Sequence, residues 1–291
     1  MKEKIVFEQC LFGNENEIVV NDIEFIVDRV VMLPKIRPHQ LDKAVSFSIE
    51  YCRNTDFRRK MLEKSNECPV LIYQLFKRGV FVYEEIRPFL KNRNSFLLCY
   101  YFWKETDDFG KMIKGKDKPY GFDEFFSDKS GDIGLLIDFG FIPSSIEYCL
   151  KYDVVDDLNN FSIMNQNAKW SPFEWSFKPD YLDFLSFSGF FGSIKCFKHL
   201  LMKGFEVNEK VLSMVVCSGC SDLFQLCQGQ KYVTIESVCM AAEFCHLHML
   251  IYMSENKANI NEKNKFVENK FIMRHLFIML LKGDIFVLLN I

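Results

Sequence analysis

The 291-residue chain has little of what marks several common protein classes. It holds 8 prolines and 14 glycines, too few for a collagen-like or low-complexity segment. It has no excess of positive charge: 36 Lys and Arg stand against 39 Asp and Glu, a net charge of -3 with pI near 6.0. Generic binding to nucleic acid or to an anionic membrane therefore has no overall electrostatic basis and would need a local patch. The best basic runs, RNTDFRRK at 53–60 and KMIKGKDK at 111–118, are interrupted by acids and read as solvated surface. No G-x-S-x-G, phosphate-binding loop, dinucleotide glycine triplet or H-E-x-x-H occurs. The N-terminal MKEKIVFEQCLF lacks the apolar run of a secretory leader. The apolar C-terminal stretch FIMRHLFIMLLKGDIFVLLNI is interrupted by Arg274, His275, Lys282 and Asp284, so no membrane span is expected.

What the chain does have is apolar mass. With 49% hydrophobic residues and 31 phenylalanines, it can bury a large core and should fold. Its 11 cysteines are odd in number and scattered through apolar stretches. They read as reduced, buried thiols of an intracellular, cytoplasmic protein.

The segment YLDFLSFSGFFGSIKCFKHLLMKGFEVN, residues 181–208, carries the organisation. Leu182, Leu185, Ser188 and Gly189 fall at helical spacing before a turn, and Ile194, Phe197, Leu200 and Leu201 after it. Gly192 and Gly204 suit helix-ending positions of positive φ. Ser188 and Gly189 would let a neighbouring helix approach closely. One such pair cannot bury both of its apolar faces, which predicts stacked copies.

Copies follow. LSMVVCSGCSDLFQL at 212–226 places Gly219 at the turn 27 residues after Gly192, and VCMAAEFCHLHMLIYM at 238–253 places Cys245 there 26 residues later. Upstream, SSIEYCLKYDVVDDL offers Asp153 as the turn residue, separated by the insert NQNAKWSPFEWSFKPD, which reads as an ordered loop. Before residue 126 the chain has the same helical texture without the period, with Pro34, Pro38, Pro88 and Pro143 as punctuation. KPYGFDEFFSDKSGD at 118–132 is the best internal boundary. The expected architecture is all-α: an N-terminal helical cap domain over 1–125, a helical-repeat solenoid over 126–264 and a tail over 265–291.

SGFFGSIKCFKHLLMKGFEVN resembles the ankyrin repeat in its small-small-x-x-Gly turn, apolar second helix and closing Gly204-to-Asn208 loop. KANINEKN at 257–264 resembles the loop that joins such repeats. The wording is similar to ankyrin-repeat families of parasitic protists that carry domain of unknown function 3447. No unit has TPLH in frame, and Val215 and Val216 replace the usual alanine pair. The tail bears on that gap: MRHLFIMLLKGD can be encoded so that reading from the third base of each codon gives ETPLHYAAERG. An out-of-frame repeat from about residue 268 is one reading of the tail, and a terminal capping helix is the other.

The resemblance implies a non-enzymatic scaffold or adaptor that binds an unknown protein partner, with no cofactor and no nucleic acid. It places partner contacts on loop tips and first-helix faces: Glu206, Asn208, Glu209, Lys231, Tyr232, Glu243, Phe244, Asn259 and Asn261, with Phe187, Phe190, Met214 and Ser218 as further groove positions. Asp153, Gly192, Gly204, Gly219, Cys245 and His246 are the structural turn positions, His246 by hydrogen-bonding neighbouring backbone. Two alternatives stand beside this reading. One is a zinc-binding or catalytic domain using Cys217, Cys220, Cys227, Cys239, Cys245, His246 and His248. The other is a truncated copy without function. The turn periodicity accounts for those cysteines without metal. The paired acids Asp107-Asp108, Asp123-Glu124 and Asp156-Asp157 diverge by about 100° on a helix and so do not converge on one substrate.

Overall fold

The computed structural model describes residues 23–36, 41–119, 122–123, 133–143, 145–161, 167–174, 182–228, 233–244, 246, 248–249 and 252–253. Among the described residues the architecture is mostly helical, with one minimal antiparallel strand pair, β1 (Asn167–Ala168) and β2 (Leu182–Asp183). The chain forms two compact units: residues 1–142 with 170–178, and residues 143–169 with 179–291. The first division between these units falls at 142/143. Its physical reason is the helix Ile133–Phe139, whose Leu136 and Ile137 are buried in the core of the first unit and whose Asp138 pairs with Lys77 at 2.8 Å.

In the first unit α1 (Ile23–Ile36), α2 (Leu41–Tyr51), α3 (Thr55–Glu63), α4 (Pro69–Lys77), α5 (Tyr83–Ile86), α6 (Phe96–Tyr101), α7 (Phe109–Ile113) and α8 (Ile133–Phe139) surround one apolar core. Pro34 lies inside α1 rather than between helices. It sits in the last turn, where it forfeits the N–H bond to the Val30 carbonyl and only two helical residues follow any bend. Asn54 caps α3, its Oδ1 accepting the N–H groups of Asp56 and Phe57 at 2.9 and 3.0 Å. Arg58 clamps Glu85 through two hydrogen bonds of 2.9 and 2.6 Å and lies over the Phe81 ring. Aromatic edges fill the rest: Phe96 meets Phe122 at 4.8 Å and Tyr100 meets Phe109 at 4.9 Å, both near perpendicular. Residues 170–174 join this core from far along the chain, with Phe173 buried and its carbonyl accepting from the Tyr101 hydroxyl at 3.4 Å.

The second unit contains α9 (Ile146–Tyr152), α10 (Val155–Leu158), α11 (Phe184–Phe191), α12 (Ile194–Met202), α13 (Glu209–Ser218), α14 (Ser221–Gln228) and α15 (Ile235–Glu243). They form two rows. α9, α11, α13 and α15 lie side by side, and α10, α12 and α14 form the second row. α11 explains its own sequence: neighbours on both sides and α12 behind it bury every residue from Phe184 to Phe190. A helix enclosed all round is apolar all round. Gly189 is where α13 comes closest, since a β-carbon there would lie 2.9 Å from Val215 Cγ2 and 3.5 Å from the Val215 backbone nitrogen. Among the described residues no helix is long and apolar enough to cross a membrane.

Candidate functional site

The first-row helices of the second unit begin in one way. Each has a short polar side chain whose oxygen accepts the N–H group three residues on: Ser145 from Tyr148 at 3.2 Å, Asp183 from Ser186 at 2.7 Å, Asn208 from Val211 at 3.0 Å and Thr234 from Ser237 at 3.2 Å. At the last of these Ser237 Oγ returns the favour by accepting the Thr234 N–H at 2.9 Å.

Their ends share most of one device, although after Gly219 the Cys220 N–H donates to Ser218 Oγ at 3.1 Å instead of to a carbonyl five residues back. Asp153, Gly192 and Gly219 adopt left-handed backbone, with φ of 58, 71 and 69°. The residue after the turn donates its N–H five residues back: Val154 to the Cys149 carbonyl, Ser193 to Ser188 and His246 to Ala241. Gly204 closes α12 by the same device, with φ 93° and a Phe205 to Leu200 bond of 3.2 Å. Cys245 lies outside the described residues.

Side chains then tie one turn to the turn before it. Ser193 Oγ donates to the Lys151 carbonyl at 3.2 Å, and His246 Nε2 lies 2.8 Å from the Cys217 carbonyl. Each acceptor stands two residues before the left-handed residue of its own turn, so the two bonds are equivalent. A carbonyl can only accept, so Nε2 of His246 carries the proton. Asp153 reaches forward instead. Its carboxylate accepts the N–H groups of Lys195 at 3.2 Å and Cys196 at 2.8 Å, capping α12, whose own leading residue Ser193 makes no side-chain cap. Sequence reasoning assigned the turn histidine but missed Ser193. The signal was available, because Ser193 and His246 both directly follow the aligned turn residue.

The surface positions divide. Glu206, Asn208 and Glu209 are exposed on the tip between α12 and α13, held between the Gly204 turn and the Asn208 cap. Phe244 is buried and meets Phe190 edge-on at 6.0 Å. Phe187, Phe190, Met214 and Ser218 are buried too. Phe187, Phe190, Met214 and Ser218 lie on α11 and α13, each flanked by two helices of its row, and with Phe244, just after α15, they are part of the core. Lys231, Tyr232, Asn259, Asn261, the side chain of Glu243 and the tail from 265 onward lie outside the described residues.

The described cysteines and histidines do not converge, and Cys245 and the side chain of Cys239 lie outside the described residues. Among the described residues no group of three or more His, Cys, Asp or Glu is placed to hold a metal. Cys217 is buried beneath the His246 bond, and His248 is exposed at 3.5 Å from Ser221 Oγ. Burial pushes the thiol of Cys227 up to about 12. Burial, with the Asp153 carboxylate adding to it, pushes Cys196 up to about 12 as well, and its Sγ donates to the Cys149 carbonyl at 3.4 Å. Both therefore stay protonated and unreactive near neutrality. Alkylation of the native chain with iodoacetamide at pH 8 should label half-exposed Cys220 well before Cys196 or Cys227, as read by peptide mass mapping. Equal rates at the three sites would mean that this core opens freely.

Among the paired acids, Asp108 caps α7 and pairs with Lys111, and Asp123 pairs with Lys118. Asp156 and Asp157 occupy the first turn of α10, where acids favour the helix dipole. Comparison of the chain with protein-family models, with curated proteins and with solved structures finds no match.

Proposed function

We propose that the chain is a non-enzymatic protein-binding scaffold, whose second unit is a short solenoid of degenerate ankyrin-like repeats preceded by an N-terminal helical cap domain. The recurrence of one turn chemistry supports this reading: left-handed residues at Asp153, Gly192 and Gly219, and equivalent backward bonds from Ser193 and His246. Bonds of this kind make each helix pair depend on its neighbour, and arrays so built present preformed surfaces rather than pockets. The exposed tip with Glu206, Asn208 and Glu209 is then the described part of the recognition surface. Its backbone is fixed at both ends, so binding there orders little chain.

Site-specific photocrosslinking tests this. A benzoylphenylalanine replacing Glu206 or Glu209 should give a discrete adduct in an extract of the source cells, and the same group replacing exposed Lys198 on α12 should not. A double Glu206→Lys/Glu209→Lys substitution should remove competition for that adduct by unlabelled protein. Adducts at all three positions alike, or at none, would count against a recognition surface at this tip.

A further inference from the structure

The first unit brings together two basic segments that lie apart in sequence. Residues 87–93, RPFLKNR, carry three cations and no acid, and residues 111–118 carry four lysines and one aspartate. Together they sum to +6 against -3 for the whole chain, which leaves -9 elsewhere. Lys116 joins them. Its ammonium donates to the carbonyls of Leu90 at 2.6 Å and Asn92 at 2.7 Å and to Ser95 Oγ at 2.9 Å, using all three of its protons. The Asp117 N–H donates to the Arg93 carbonyl at 3.1 Å, and Arg93 Nε donates to Asp117 Oδ1 at 2.9 Å. The two segments are therefore joined where residues 90–95 meet Lys116 and Asp117.

Six cations are left exposed around this joint. Arg93, Lys111 and Lys118 each hold a carboxylate of the chain itself, from Asp117, Asp108 and Asp123. Arg87, Lys91 and Lys114 make no ion pair among the described residues. We propose that these joined segments are a docking surface for an acidic protein segment, with Arg87, Lys91 and Lys114 receiving its carboxylates. Arginine's planar fork matches a carboxylate, and the filled cations around the patch show the pairing the surface already makes. A short acidic segment suits the charge distribution better than a long polyanion. The rest of the chain sums to -9, so a long polyanion extending beyond these segments would gain no net attraction from it. This surface belongs to the first unit and the tip with Glu206 and Glu209 to the second, and its test does not depend on the role of that tip.

The test uses the full chain and a fluorescein-labelled peptide of ten glutamates, followed by anisotropy at low ionic strength. Saturable binding should weaken about tenfold in Arg87→Glu/Lys91→Glu/Lys114→Glu. It should be unchanged in Lys43→Glu/Arg53→Glu/Lys198→Glu, which reverses the same amount of charge elsewhere. Arg87, Lys91 and Lys114 are exposed and make no ion pairs among the described residues, so the first variant should retain its circular dichroism. If it does not, the corresponding glutamine triple gives the reading. Absence of saturable binding, equal weakening in the control, or tighter binding of a ten-nucleotide oligothymidylate would overturn the assignment.

Discussion

Gly219→Ala is expected to destabilise the second unit by about 3 kcal/mol. Two costs combine. At φ 69° an L-residue is strained by about 1 kcal/mol. The new β-carbon would also collide with Cε1 and Nδ1 of His246. The imidazole must leave, which breaks the bond to the Cys217 carbonyl and opens the space it fills. Because the chain has two compact units, a single unfolding midpoint would mix their responses. Hydrogen exchange separates them: amides of 209–218 and 235–243 should lose protection while those of 69–77 and 96–101 keep theirs. Adding His246→Ala should recover the part due to collision and leave the backbone strain, so the double variant is less damaged than the two single costs added. Protection unchanged in Gly219→Ala would mean that the turn does not carry the packing described above.

That turn was legible in the sequence for a local reason. A helix must end, glycine enters the left-handed region without a Cβ penalty, and the spacing from Gly192 to Gly219 repeats a whole helix pair. Asn208 is legible in the same way as a cap before an apolar run. Gly189 and Ser188 are legible as small residues, since a close helix contact leaves no room for others.

The division of the chain was not legible at that level. Residues 170–174 read as a loop of the repeats, yet Phe173 is packed against Tyr100 and Tyr101 of the first unit. Nothing in the period of a sequence states which distant core an apolar loop enters. Phe244 shows the same limit from the other side. Its register places it on a first helix, but whether that face is groove or core depends on neighbours such as Phe190, 54 residues away. The basic patch needed Lys116 to be seen reaching across to Leu90 and Asn92. In the sequence those segments are separated by the apolar α6, and only the nearer run stands out.

Asp153 is the position where two demands on one residue conflict, and its substitutions should rank by which demand they satisfy. Its backbone is left-handed, the only described non-glycine residue of positive φ, which favours glycine. Its side chain supplies two charge-assisted caps to α12, which glycine cannot. Asp153→Ala fails both ways and should cost about 2–3 kcal/mol, the sum of lost caps and a strained β-carbon. Asp153→Gly removes the strain and loses the caps, for about 1 kcal/mol. Asp153→Asn tolerates the backbone and keeps an oxygen for Cys196 N–H, so it should cost less than either. Loss of the carboxylate also removes one influence that raises the Cys196 thiol, but burial is the larger, so Cys196 should resist alkylation in all three variants while they remain folded. The readout is chemical unfolding followed by exchange at residues 194–202. Glycine more damaging than alanine would overturn the ranking, because both lose the caps and only alanine keeps a strained β-carbon. Alanine equal to glycine would show that the left-handed turn at α9 carries no strain for the side chain to offset.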